Sequence, residues 1–198
     1  MIKNIIFDLN KVITTFDKSS NSDEVYKKEL GISREDFWKD RDKILEDYTL
    51  GKVSLNEYIS SQLRKSSISL DKQEIAKKIH NQFLTLVDGI IPVIEKLSKS
   101  YNLILMAGEG KESLEIKLDK FKLRKYFSKI YATYAVKMDK TETKFYSLIL
   151  SENNLKPDET IFIDDQQRYI DAAKKVGLKT IKFENIMQLK QELFRALS

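Results

Sequence analysis

Three aspartates in this chain stand where an apolar run stops. Asp8 ends Ile5-Ile6-Phe7, and the adjacent pair Asp164-Asp165 ends Ile161-Phe162-Ile163. Short apolar runs with no polar alternation read as strands buried on both faces, as in a parallel sheet covered by helices. In such sheets ligands sit at the carboxyl ends of the strands. If the two strands lie side by side, three carboxylates share one crevice. Like charges that close are costly unless a cation or a proton separates them. Oxygen donors without His or Cys select a hard cation, and Mg2+ is the one expected. Lys140 precedes a helix that Thr141 is expected to cap, a place where phosphate also binds well. Each residue has a plainer reading when taken singly. A strand-end Asp can close a turn, the acid pair can complement the dipole of the next helix, and Lys140 is one of many lysines. Their order along the chain carries the chemical reading.

The elements that must position these residues follow from the pattern. Apolar runs predict strands at about 2–8, 103–106, 130–132, 160–163 and 180–183. Helical spacing fills the gaps between them, with helices expected over 88–100, 111–122, 141–152, a stretch ending at Gly177, and 185–197. Strands alternating with helices imply an α/β fold with a doubly wound parallel sheet. The second of these strands ends in the tight turn Ala107-Gly108-Glu109-Gly110. Residues 14–86 have a different texture: they are rich in Lys, Glu, Ser and Asp, with apolar residues at helical spacing. Ser33 reads as an N-cap, Ser54-Leu55-Asn56-Glu57 as a capping box, and Leu50-Gly51-Lys52 as a helix stop. The expected organisation is a core of residues 1–13 plus 87–198, with an all-helical module of residues 14–86 inserted after the first strand.

Composition narrows the classes. The chain has 198 residues, 41% of them hydrophobic, enough for one core and a modest insertion. It has no cysteine, hence no disulfide and no thiolate metal site. The net charge of +5 is spread among 30 acids with no run of five like charges, which argues against a nucleic-acid partner. No apolar run approaches the roughly 18 residues that span a bilayer, and the start has no signal-peptide pattern. A cytoplasmic protein without membrane contact is expected, as a monomer or a homodimer. The single histidine, His80, cannot build a metal cluster and is given no role; Trp38 is assigned to the core of the helical module.

The ordered elements resemble the haloacid dehalogenase-like (HAD) superfamily of phosphohydrolases over essentially the whole chain. IIFDLNKVI is similar to the first motif of that family. LILMAGEG occupies the second, YFSKIYATYAVKMDKTETKFYSLIL is similar to the third, and ETIFIDDQQRYIDAAKKVGLKTI closely resembles the fourth. The helical insertion resembles that family's cap, and the GKVSLNEY segment is similar to the alpha-glucose-1-phosphatase branch. The resemblance implies a Rossmann-like core and hydrolysis of a small phosphorylated metabolite. Asp8 would attack phosphorus and carry an aspartyl-phosphate. Mg2+ would be held by Asp8, the backbone carbonyl of Asn10, Asp164 and Asp165. Lys140 would hold Asp8 and neutralise phosphate charge, and the backbone N–H groups of Ala107 and Gly108 would bind phosphate oxygens. Thr14, Thr15, Phe16 and Tyr48 are the insertion residues expected to face the crevice.

Two positions depart from the family pattern. Asn10 stands where a second Asp exchanges a proton with the leaving group and then with water. An amide cannot do this, and losing such help typically costs about 10^2- to 10^4-fold in rate. Ala107 stands where a Ser or Thr hydroxyl would bind phosphate. The resemblance therefore implies a slow phosphatase whose phosphoenzyme accumulates, and a gain of activity in Asn10→Asp. A protein that binds a phosphorylated ligand or a protein partner without turnover is the alternative class. Dehalogenation, which needs no metal, fits the full acid set less well. A response-regulator receiver carries its acid pair after the first strand, which this chain does not. Glu109 is read as a polar loop residue and not as a replacement base.

Overall fold

The computed structural model describes residues 1–16, 22–39, 41–63 and 71–198. Five strands form one parallel sheet: β1 (Asn4–Asp8), β4 (Asn102–Ala107), β5 (Lys129–Ala132), β6 (Thr160–Asp164) and β7 (Lys179–Lys182), in the order β5-β4-β1-β6-β7. β1 lies at the centre, with Phe7 registered against Leu105 on one side and Ile163 on the other. All five expected strands are present, each within a residue or two of its predicted bounds.

Successive strand residues enter opposite layers, because side chains alternate across a pleated strand. Ile5, Phe7, Leu103, Leu105, Ile161 and Ile163 join one apolar cluster with α6 (Ile90–Leu97), α7 (Lys111–Lys120) and α11 (Ile186–Leu197). Ile6, Ile104, Met106 and Phe162 join the other, with α9 (Thr143–Glu152), which follows the short α8 (Thr133–Val136), and α10 (Gln167–Lys175). Burial on both faces is why these strands read as continuous apolar runs. It is also why their polar ends are confined to one edge of the sheet. Such a three-layer α/β arrangement is the Rossmann-like core expected from the alternation of elements.

Between β1 and α6 the chain leaves the core. It passes through β2 (Thr14–Phe16) and returns through β3 (Leu84–Leu86), and the two pair antiparallel with Thr14 opposite Leu86. Between them lie α1 (Ser22–Leu30), α2 (Arg34–Trp38), α3 (Arg41–Thr49), α4 (Leu55–Gln62) and α5 (Lys72–Phe83). These helices bury a separate aromatic cluster around Tyr26, Phe37, Tyr48, Tyr58 and Phe83. Trp38 packs against that cluster and donates its indole N–H to Tyr26 Oη at 3.0 Å. Ser33 caps α2, and Ser54 with Glu57 closes the capping box of α4. Gly51 ends the α3 segment at φ +65°, a left-handed conformation that costs glycine little. The expectation for His80 concerns a side chain outside the described residues.

Two features differ from the sequence expectation. The β2–β3 hairpin lies where helices alone were expected. Thr141 does not cap α9: Glu142 occupies the N-cap position, and Thr141 donates its N–H and hydroxyl to Asp139 Oδ1 at 2.8 and 2.6 Å. That Asp-Thr turn closes on itself and hands Lys140 inward.

Candidate active site

The carboxyl ends of β1, β4 and β6 meet at one edge of the sheet, and the acids meet there with them. Asp8 is the last residue of β1 and Asp164 the last of β6, and both are buried. Lys140 is buried between them. Its ammonium donates to Asp8 Oδ1 at 2.7 Å and makes a short contact with Asp164 Oδ2. Tyr146 on α9 fixes the lysine backbone by donating its hydroxyl to the Lys140 carbonyl at 2.7 Å. Rings of Tyr169 and Phe162 lie 4.6 and 5.7 Å from the ammonium. A cation held by two carboxylates and two aromatic faces has few alternative positions.

The electrostatics follow from that packing. Burial pushes the Asp8 carboxyl up to about 7, the Lys140 charge opposes the rise, and Asp164 adds to it. Burial likewise raises Asp164 against the pull of Lys140. Burial would depress Lys140, but its two carboxylate partners overcome that and hold it above the ordinary lysine range. Asp165 lies beside Asp164 and faces Lys11 Nζ at 3.4 Å. Lys11 itself sits at φ +62°, so the turn after Asn10 is held in a conformation unusual for a side-chain-bearing residue. Asp8, Asp164 and Asp165 offer carboxylate oxygens that all lie within 4.8 Å of one another. Among the described residues this is the group of acids placed to hold a metal ion.

The turn after β4 carries the other half of the site. Ala107 is fully buried and brings no hydroxyl. A Cβ on Gly108 would lie 3.5 Å from Cδ of Lys140, so this backbone runs along the lysine stem. Glu109 does not project into solvent as a loop residue would. It is buried and accepts a hydrogen bond from Asn10 Nδ2 at 2.7 Å. Lys117 on α7, buried as well, donates to Asn10 Oδ1 at 2.7 Å and makes a short ion pair with Glu109. Glu109 lies in the loop, as the sequence reading has it, and the turn folds its side chain back onto the position two residues after Asp8.

The helical segment reaches this cluster. Tyr48 donates to or accepts from Ser113 Oγ at 2.9 Å, and its ring covers Gly110, where a Cβ would meet it at 2.2 Å. Only glycine permits that approach. Phe16 lies with its ring 5.8 Å from Lys117 Nζ. Thr14 is committed elsewhere, since its hydroxyl donates to the Leu9 carbonyl at 3.3 Å in the hairpin. Of the four residues expected to face the crevice, Phe16 and Tyr48 come to the cluster, Thr14 does not, and Thr15 lies opposite Thr85 in the β2–β3 pair.

Sequence reasoning missed Lys117, Ser113 and Tyr146. A signal for Lys117 exists: it falls between Leu114 and Leu118, on the apolar stripe of α7, where a surface lysine has no reason to stand.

Comparison with known proteins bears on the family and the fold. The family model described as haloacid dehalogenase-like hydrolase matches residues 5–183. The D-ribitol-5-phosphate phosphatase of Bacteroides thetaiotaomicron is 28% identical over 207 aligned positions, covering 98% of this chain and 97% of that protein. A haloacid dehalogenase-family enzyme of the same species, solved with magnesium and inorganic phosphate, matches with a TM-score of 0.77 and 23% identity over 93% of this chain and 96% of that one. L-2-haloacid dehalogenase from Xanthobacter autotrophicus matches with a TM-score of 0.67 and 16% identity over 98% of this chain and 83% of its own. At these identities the two solved structures speak for the fold. The family match extends over nearly the whole chain and takes in β1, β4 and β6 together with the acids that end β1 and β6, and on that ground the chain belongs to the haloacid dehalogenase-like hydrolases.

Proposed function

We propose that this chain hydrolyses the phosphate monoester of a small metabolite by way of a phosphoryl group carried on Asp8. The observation that carries the reading is the charge balance at the sheet edge. Three carboxylates crowd together there against one buried ammonium, which Asp8 and Asp164 share, and the exposed Lys11 beside Asp165, so negative charge is left in excess. A divalent cation restores that balance, and the all-oxygen donor set suits Mg2+. Asp8, the Asn10 carbonyl, Asp164 and Asp165 would hold it, and when bound it supplies neutralisation of the phosphoryl oxygens. Asp8 is the nucleophile, presented at the end of the central strand and oriented by Lys140. The same ammonium neutralises phosphate charge, and the backbone at Ala107 and Gly108 runs beside it to receive phosphate oxygens. Phosphoryl transfer asks for positioning and charge neutralisation above all, and this is what a rigid strand end offers.

The helical segment of residues 14–86 serves as a cap whose Phe16 and Tyr48 close over the leaving group. The relative that hydrolyses D-ribitol 5-phosphate supports a polyol or sugar phosphate as the substrate class. The deciding experiment measures phosphate release from ribitol 5-phosphate and p-nitrophenyl phosphate, with and without Mg2+, in wild type and Asp8→Asn. Turnover that needs Mg2+ and falls at least about 10^3-fold in Asp8→Asn is expected. Binding of inorganic phosphate without any turnover would leave a ligand-binding protein instead.

A further inference from the structure

Four cations stand around the acidic edge of the sheet, and three of them face acids. Lys140 is shared by Asp8 and Asp164, Lys117 pairs with Glu109, and Lys11 faces Asp165. The fourth, Arg168, pairs with no carboxylate among the described residues; its partners are neutral. It stands four residues after Asp164, in the first turn of α10, so its backbone leaves the same strand end as the acids. The first turn of a helix favours an acid, and α10 has none there. A cation in that place works against the helix, and such a broken local rule marks a position kept for another reason.

The guanidinium is nevertheless held in place. Its Nε donates to Gln166 Oε1 at 3.0 Å and its Nη2 to Tyr169 Oη at 2.9 Å. Its central carbon lies 4.7 Å from the centre of the Tyr169 ring, and the Lys140 ammonium lies 4.6 Å from that same centre, so the two cations are at most about 9 Å apart. Tyr169 is buried, and its backbone carbonyl accepts from Tyr146 Oη at 3.1 Å, which fixes the platform. Arg168 itself is exposed. Two of the five N–H donors of a guanidinium are thus spent on neutral acceptors, and three remain. A fork already held in one place loses little freedom when it binds.

We propose that Arg168 determines specificity by taking a carboxylate at the far end of the substrate, which makes the preferred substrate a sugar-acid phosphate. The proposal rests on the phosphatase reading above and names the substrate class within it. The phosphate sits at Asp8 and Lys140, and the short spacing to Arg168 lets a small metabolite reach both cations. A planar carboxylate accepts two parallel N–H bonds from the fork. It also brings one charge to one cation. A second phosphate would bring more negative charge than Arg168 offsets, at an edge where three carboxylates already crowd.

The test compares ribitol 5-phosphate with 5-phosphoribonate, in which the terminal alcohol carbon is a carboxylate and the rest is the same. Values of kcat/KM are measured with Mg2+ in wild type, Arg168→Gln and Arg168→Lys. Wild type should favour the ribonate by about tenfold or more, the worth of one charge-assisted pair. Arg168→Gln should lose at least about tenfold more on the ribonate than on the polyol, and the loss should appear chiefly in KM, because the contact is made equally before and during transfer. Arg168→Lys keeps the charge without the fork, and its preference should fall between the two. Equal kcat/KM for the two compounds in wild type overturns the proposal, and so does an equal fall on both in Arg168→Gln. Asp8 dependence separates the two levels. Turnover that survives Asp8→Asn, or no turnover of any phosphate ester, sinks the phosphatase reading and this inference with it. Asp8-dependent turnover of p-nitrophenyl phosphate without preference for the ribonate sinks this inference alone.

Discussion

Asn10→Asp is the substitution that motif comparison recommends as a repair, and the structure predicts the opposite result for stability. The substitution replaces the Nδ2 donor by a carboxylate oxygen 2.7 Å from Glu109 Oε1. Two unit charges at that separation repel by about 6 kcal/mol at an effective dielectric of 20. Lys117, 2.7 Å from the other oxygen of position 10, returns an attraction of similar size. What remains is an additional charge in a half-buried place and two acids that share one cation. Such a pair holds a proton that wild type does not, because two carboxylates sharing one cation do not both stay charged without cost. The sign follows. A carboxyl whose folded pKa exceeds its unfolded one contributes stability below the unfolded value of about 4 and loses it as pH rises through the folded value. Asn10→Asp should therefore match wild type near pH 4.5 and fall below it by about 2–3 kcal/mol at pH 8. Urea unfolding at the two pH values, without added metal, reads this directly. The double variant with Glu109→Gln should abolish the pH-dependent difference. Equal stability of Asn10→Asp and wild type at both pH values would refute the contact between positions 10 and 109.

Two further outcomes follow from the other buried ammonium and its acids. Lys140→Met leaves Asp8 and Asp164 buried without their cation, so it should cost about 3–5 kcal/mol at pH 8 and distinctly less at pH 5, below the value of about 7 to which burial pushes Asp8. A loss independent of pH, measured by urea unfolding, would contradict that account. Mg2+ should raise Tm more at pH 8 than at pH 6. Asp8, pushed up to about 7, holds a proton below that pH which a cation must displace, and the gain should level off above it. A Tm shift of the same size at both values would show that Asp8 does not take part in holding the cation.

Much of this molecule is legible in the sequence because its sheet is buried on both faces. Ile5-Ile6-Phe7 and Ile161-Phe162-Ile163 are apolar without interruption, so the polar residues that end them stand out. The hairpin is not legible. Thr14–Phe16 and Leu84–Leu86 are three residues each, too short for any period to show, and their pairing spans the whole helical segment. The acids of the metal-ready group are adjacent to strand ends and were found; the ring of Asn10, Glu109 and Lys117 was not. Its members come from three elements, and only the turn at Gly108-Glu109-Gly110 brings them together. Glu109 follows a glycine in a polar turn, where side chains ordinarily point to water. Lys117 is one of 35 basic residues, and its place on an apolar stripe is a faint mark among so many.

The two-stranded hairpin has a consequence for how such a chain can change. Thr14 and Leu86 are partners across it, so the excursion, five helices among the described residues, returns to the point from which it left. Closing a loop costs entropy that grows only with the logarithm of its length. Residues can be gained, lost or replaced beyond Phe16 and before Leu84 with little penalty to the five-stranded sheet. The neck thus separates two timetables of change: the sheet edge holds its acids in fixed register, while the covering helices are free to be rewritten for another ligand.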